Sequence, residues 1–393
     1  MSPSQSMVMR AVAALSIASV ALSACAPAAT PTVAPAATAA PNADWAMMRS
    51  AAAGGGLDAL IAAAKGEGEL NVITLPRDWC NYGEMIDTFS AKYGIKVNSL
   101  NPDGGSADEI QAIKDNKENQ GPQAPDVIDV GPAYGPLAKS EGLVTPYKVE
   151  TWDTIVGDKD PEGYYVVDYA GVMVFEVNTD IVKNVPQDWA DLLKPEYKGQ
   201  IALAGDPRAS NQAAQSVYAA ALANGGSLDD VQPGLEFFKE LNASGNLLPL
   251  IAGSGTIAKG ETPITFQWNY LALANIDSFN GNPKVEVVYP KSVTWGGYYL
   301  QGISAYAPHP AAARLWEEFL YSDEGHLLWM KGYCTPARLA DMVGRGVVPA
   351  DLQAKLPAPE LISESVVPNG DQLSAAREAI KTQWDSVVGV DIK

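Results

Sequence analysis

The residues able to do chemistry fall into a few groups, and most are aromatic. Trp79 and Tyr82 share one short segment, Tyr134 lies in a second and Tyr169 in a third. Trp268, Asn269 and Tyr270 are consecutive, and Trp295, Tyr298 and Tyr299 lead to Gln301. Aromatic faces with a few aimed polar groups suit capture of a small apolar or cationic molecule. Core packing explains any one Trp or Tyr as well; five such sets near strand ends favour a cleft. A second group is Asp206 to Asn211, just before a helical pattern. A helix start offers free N–H groups and a positive dipole end, which suit an anion. Ser210 and Asn211 also have side chains that cap such a start, and capping alone accounts for them equally well.

No nucleophile-and-base motif for catalysis is visible in the sequence. His309 stands between two prolines and His326 follows Gly325, and neither neighbours a nucleophile motif. Surface or capping roles account for both. A hydrolase using two carboxylates distant in the chain remains as an alternative. Three Cys and two His do not make a zinc ribbon or a His-rich site, so no metal and no cofactor is expected.

These residues need elements to position them. Glu69 to Thr74, Ile95 to Leu100 and Asp126 to Val130 read as strands, with amphipathic helices between them. Asn81 with Glu84, and Ser106 with Glu109, match the capping-box spacing at the starts of those helices. A β-α-β-α-β order implies a parallel sheet, with ligands beyond the carboxyl ends of its strands. That places the loops at 76–82 and 131–135 at the binding edge. Tyr164 to Val177 is β-rich and too long for one ordinary strand, so it can carry the chain between two lobes. Pro310 suits the first turn of a helix with Ala312, Trp316, Phe319 and Leu320 on its buried face.

The chain has 393 residues, 27 Lys and Arg against 46 Asp and Glu, and a formal net charge of −19. That length allows two or three domains. The acidic balance argues against nucleic acid as a partner. The N-terminus reads as an address. Arg10 precedes the apolar run from Ala11 to Leu22, and Ser23 and Ala24 lead to Cys25. This is a signal segment, too short to span a membrane comfortably. Residues 26–43 are almost entirely Ala, Pro and Thr and read as an extended tether.

Four landmarks occur in order. They are Leu22 to Cys25, Asp126 to Gly131, Pro186 to Gly199 leading into Asp206-Pro207-Arg208, and Ala307 to Gly325. The first resembles the bacterial lipobox, which implies lipid on Cys25. Together they resemble the extracellular solute-binding proteins of bacterial ABC importers, nearest the spermidine/putrescine and ferric-ion binding proteins. The likeness spans roughly residues 67 to 345. It implies a two-lobed α/β periplasmic-binding-protein-like fold of type II, each lobe a mainly parallel sheet flanked by helices. It implies no catalysis, a small-molecule ligand held between the lobes, and an ABC permease as partner; a membrane sensor is the alternative partner. The expected parts are a signal peptide at 1–24 and the lipidated Cys and tether at 25–50. Lobe one takes 67–170 with about 302–340, lobe two 171–301, and a C-terminal helical segment 341–393. The protein is expected as a monomer outside the cytoplasm, lipid-anchored to the membrane.

The resemblance also bears on the ligand. Polyamine binders carry Asp-x-Arg-Glu where this chain has Asp206, Arg208 and Ala209, and an acid where this chain has Gln301. Ferric-ion binders carry adjacent tyrosines where only Tyr270 is present. Two absent carboxylates count against a polyamine, and one tyrosine against iron, and both stay as alternatives within the class. A phosphonate, phosphate ester or carboxylate solute stays open. The ligand set is Trp79, Tyr82, Tyr134, Tyr169, Asp206, Ser210, Asn211, Trp268, Asn269, Tyr298 and Gln301. With Cys25 assigned to lipid, Cys80 and Cys334 form an even pair outside the cytosol. In the family the segment holding Cys334 returns to the mouth of lobe one, so a bond stiffening the Trp79 loop is expected.

Overall fold

The computed structural model describes residues 43–393. Cys25, the signal segment and most of the tether lie outside the described residues. Eleven strands are present among the described residues. They are β1 (Glu69–Ile73), β2 (Lys96–Leu100), β3 (Val127–Val130), β4 (Val144–Thr145), β5 (Val166–Asn178) and β6 (Ile201–Leu203). The rest are β7 (Leu247–Ile251), β8 (Ile264–Trp268), β9 (Val285–Val288), β10 (Gly296–Ser304) and β11 (Thr335–Pro336).

β5 organises the molecule. Its 13 residues are buried almost throughout, so it reads as a continuous apolar run. The first half, from Val166 to Val172, pairs with β10 and β11. The second half, from Met173 to Asn178, pairs with β8 and β9. One strand thus belongs to both lobes, and the long β-rich stretch has the crossing role the sequence suggests. In the first lobe β1 and β2 pair in parallel, and the Asp126 N–H donates to the Asn71 carbonyl to hold the start of β3 beside β1. In the second lobe β6 pairs in parallel with both β7 and β8.

The sheets are mixed rather than mainly parallel. β3 runs antiparallel to β10, and β10 antiparallel to β5. β10 comes back into the first lobe only after the chain has built the second, so it enters from the opposite direction. Helices cover both lobes. Pro310 opens Pro310–Leu320, whose Ala312, Trp316, Phe319 and Leu320 are buried as the pattern implies. Among the described residues no helix is long and apolar enough to cross a membrane.

Both sequence-read capping boxes differ from the structure. Asn81 is left-handed (φ 63°) and donates to Glu84 and to the Leu328 carbonyl, without capping the backbone. Gly105, not Ser106, precedes the helix Ser106–Asp115, and its N–H donates to Asp108 at 2.8 Å. Ser106 and Glu109 are freed from capping and point into the protein.

Candidate functional site

A cleft of about 500 Å³ lies where the strands of both lobes end. The first lobe supplies Asp78 and Trp79 after β1, Gly104 to Ser106 after β2, and Glu109 and Asp129. The second supplies Ser210, Asn211 and Gln212 after β6, Gly253 to Thr256 after β7, and Gln267 at the end of β8. Tyr299 of β10 completes it. The loop after β2 was not legible as part of the binding edge. Loop 131–135 is not part of the lining. A Cβ on Gly131 would lie 2.2 Å from Asn211, so that space already holds the Asn211 side chain.

Two helices begin at this cleft, Ser106–Asp115 from one side and Asn211–Ala223 from the other. They start close together, because a Cβ on Gly105 would sit 3.4 Å from the Ala209 carbonyl. Ser210 caps the second helix, accepting from the Ala213 N–H. First-turn amides have no carbonyl a turn back to meet, so both starts present donors and positive dipole ends to the cleft. Among the described residues no Lys or Arg lines it.

The floor is a hydrogen-bonded network. Tyr82 and Tyr169 donate to Asp129 Oδ2 at 2.8 and 2.9 Å. Trp79 donates its indole N–H to the Tyr169 hydroxyl at 2.7 Å. Gln301 donates to the Tyr82 oxygen and to Asp168, each at 2.9 Å. Glu109 accepts from the Asp129 N–H, and the Ser106 hydroxyl from the Gly131 N–H. Burial raises the acids here: Asp129 is pushed up to about 6, against the pull of the Tyr82 and Tyr169 hydrogen bonds. Asp168 is raised further, by burial first and then by the Asp129 charge. Burial also raises Glu109.

The sequence-read residues divide in three. Trp79, Ser210 and Asn211 line the cleft. Tyr82, Tyr169 and Gln301 form its floor, one layer back. Trp268 is buried beside them, stacked on Tyr270 at 6.4 Å and donating to the Tyr299 hydroxyl at 3.3 Å. The others serve elsewhere. Asn269 accepts from the Val172 N–H at 2.7 Å. Tyr298, alternating with Tyr299 along β10, donates to Asp158. Tyr134 donates to the Ala209 carbonyl, with Arg377 stacked 4.0 Å from its ring centroid. Asp206 is ion-paired with Arg208, which also reaches Asp385 and Asp391.

Sequence reasoning missed Ser106, Glu109, Asp129, Gln212 and Gln267, and named Tyr299 in an aromatic set while choosing its neighbour Tyr298 as the ligand contact. Asp129 carried a signal, as a charged residue inside an apolar strand; Gln212 and Gln267 carried none. Cys80 and Cys334 are joined by a disulfide with Cα atoms 5.8 Å apart, next to Trp79. Neither His reaches the cleft. His309 pairs with Asp126, and His326 is buried and held neutral, its pKa lowered by burial to about 3. Among the described residues no group of three or more His, Cys, Asp or Glu is placed to hold a metal ion.

Residues 123–359 match the family model described as bacterial extracellular solute-binding protein. An uncharacterized protein of Haemophilus influenzae is 33% identical over 262 residues, 62% of this chain and 70% of that one. A periplasmic protein of Salmonella typhimurium, provisionally named as 2-aminoethylphosphonate-binding, is 25% identical over 78% of this chain and 87% of its own. Among solved structures, the periplasmic binding protein AfuA from Actinobacillus pleuropneumoniae, with fructose-6-phosphate bound, superposes with a TM-score of 0.64. It is 22% identical and covers 82% of this chain and 99% of that one. Iron-bound HitA from Pseudomonas aeruginosa gives a TM-score of 0.61 at 17% identity, over 82% of this chain and 99% of that one.

Proposed function

This chain belongs to the bacterial extracellular solute-binding proteins, and we propose that it captures a small phosphonate- or phosphate-bearing organic solute for an ABC permease. One observation carries the reading: two helix starts, from opposite lobes, meet at a single cleft in which no basic side chain is present among the described residues. Such starts bind oxyanions through backbone donors and need no lysine. Family membership makes the chain a binder, not an enzyme. The Salmonella relative's name and the sugar phosphate in the AfuA structure agree with an anionic solute. Ferric ion fits poorly, because Tyr270 is packed behind the lining and Tyr299 stands at the cleft without a second tyrosine.

Binding works by closure of two lobes, divided as 67–170 with 302–340 against 171–301. The hinge lies in β5 and β10, near Tyr169 and Gln301, where the chain passes between the lobes. Solute contacts from both walls favour the closed form, which the permease recognises. Lipid on Cys25 holds a monomeric protein at the membrane.

A thermal-shift series tests the ligand class. A solute at 100 times its Kd adds roughly 2.7 kcal/mol of stability. 2-Aminoethylphosphonate or a sugar phosphate should give the largest shift. A larger shift with spermidine or Fe(III) would overturn the reading.

A further inference from the structure

We infer that the solute is a zwitterion, its ammonium held against Asp129 and its oxyanion against Gln212, Gln267 and the helix start at Ser210. This rests on the anion reading above and adds the second charge.

The two walls of the cleft differ in kind. On the first-lobe wall Asp129 is 6% exposed and lines the cleft. Its Oδ2 takes the Tyr82 and Tyr169 hydroxyls, the Asp168 carboxyl also hydrogen-bonds to Asp129, and its Oδ1 meets no N–H or hydroxyl donor among the described residues. Glu109 stands beside it, and Asp168 behind it is held by Gln301 and its own neighbour's amide. The buried side chains of this wall thus offer acceptors, beside the backbone donors of the helix start at Ser106.

The buried side chains of the second-lobe wall instead offer donors. Gln212 and Gln267 are 3% and 4% exposed, line the cleft, and have buried Nε2 groups without an acceptor among the described residues. Buried polar groups left unpaired are costly, so unpaired ones at a cleft mark where a ligand supplies the missing atoms. A polyamine would answer Asp129 and leave the amides unpaired. A plain oxyanion would answer the amides and place its charge near buried acids with no counter-charge. A solute carrying both an ammonium and an oxyanion answers both walls.

The test compares 2-aminoethylphosphonate with ethylphosphonate, which keeps the anion and lacks the amine, by calorimetric titration of the full chain. A charge-assisted hydrogen bond predicts roughly 10- to 100-fold tighter binding of the amine compound. Asp129→Asn should bring the two within about threefold of each other, while Gln267→Leu should weaken both by a similar factor. If Asp129→Asn does not fold, the wild-type preference still decides whether the amine is recognised. Equal wild-type binding of the two would overturn the ammonium subsite and leave the anion reading standing. Binding of neither would overturn both.

Discussion

The indole N–H of Trp79 donates to the Tyr169 hydroxyl at 2.7 Å. Trp79 comes from the loop after β1, whereas Tyr169 lies in β5, the strand shared by both lobes. The bond therefore ties a wall of the cleft to the element about which the lobes are proposed to turn. Tyr169 in turn donates to Asp129, so wall, crossing strand and floor form one chain of hydrogen bonds.

The first prediction concerns the Cys80–Cys334 bond, one residue from Trp79. It closes a sequence separation of 254 residues. Cross-links over long loops stabilise chiefly by restricting the unfolded chain. Replacing both cysteines by serine should cost about 2–5 kcal/mol in denaturant unfolding. It should also weaken solute binding, because Cys80 and Asn81 hold left-handed backbone (φ 46° and 63°) that the bond helps fix. An unchanged unfolding midpoint would show that the bond has no such role.

Gln301 provides the second. The resemblance to polyamine binders sets an acid at this position, but here the Gln301 amide donates to Asp168 and to Tyr82 behind the cleft. Gln301→Asp removes that donor and sets a further buried carboxylate beside Asp168 and Asp129. Stability should fall by roughly 3 kcal/mol, the cost of an uncompensated buried charge. The new carboxyl's pKa would be raised by burial and by its acidic neighbours. Its protonated form is then tolerated at low pH, and the loss should grow as pH rises. Melting at pH 5 and pH 8 checks this. A variant that kept full stability and gained spermidine binding would show that position 301 reaches the solute.

Residue 301 also shows where sequence reading stops. Trp79, Ser210 and Asn211 were legible because they lie just beyond strands or at a helix start, where binding residues concentrate. The crossing strand was legible from its length and its apolar run. Tyr82, Tyr169 and Gln301 were legible as a group but not as a layer. Whether a side chain forms the wall or the floor depends on strand register and on neighbours hundreds of residues away. Ser106 and Glu109 were misread for a related reason: a capping spacing and a buried inward pair use the same residue types. Gln212 and Gln267 had no local signature, since a glutamine on a helix or a strand is ordinarily a solvated residue.

Glu317 gives a prediction in pH. It is 3% exposed, and neither carboxylate oxygen has a partner among the described residues. Burial, then the Asp129 and Glu318 charges, push its pKa up to about 8 from an ordinary value of 4.5. Between these values the folded protein holds a proton that the unfolded chain has lost. Stability therefore falls as pH rises from about 4.5 to about 8 and levels off above. Glu317→Gln removes that dependence. Its advantage over the wild type should be least below pH 4.5 and widen to of order 1–3 kcal/mol near pH 8. Parallel melting curves at every pH would sink the idea.

The last prediction separates closure from folding. The Ser254 hydroxyl donates to Asp78 at 3.3 Å, joining the loops after β7 and β1 across the cleft. The bond itself is exposed to solvent, so it adds little to the folded state, and Ser254→Ala should change solute-free stability by less than about 0.5 kcal/mol. In the proposed mechanism the same contact exists only in the closed form. Its loss should weaken solute binding by roughly two- to tenfold, the value of one ordinary hydrogen bond. The wild type should also contract on solute addition, seen as a smaller radius of gyration in solution scattering. In the variant, more solute should be needed for the same contraction. If Ser254→Ala lowered solute-free and solute-bound stability equally, the contact would belong to the fold and not to closure. A wild type that bound solute tightly without contracting would remove the hinge at Tyr169 and Gln301 from the mechanism.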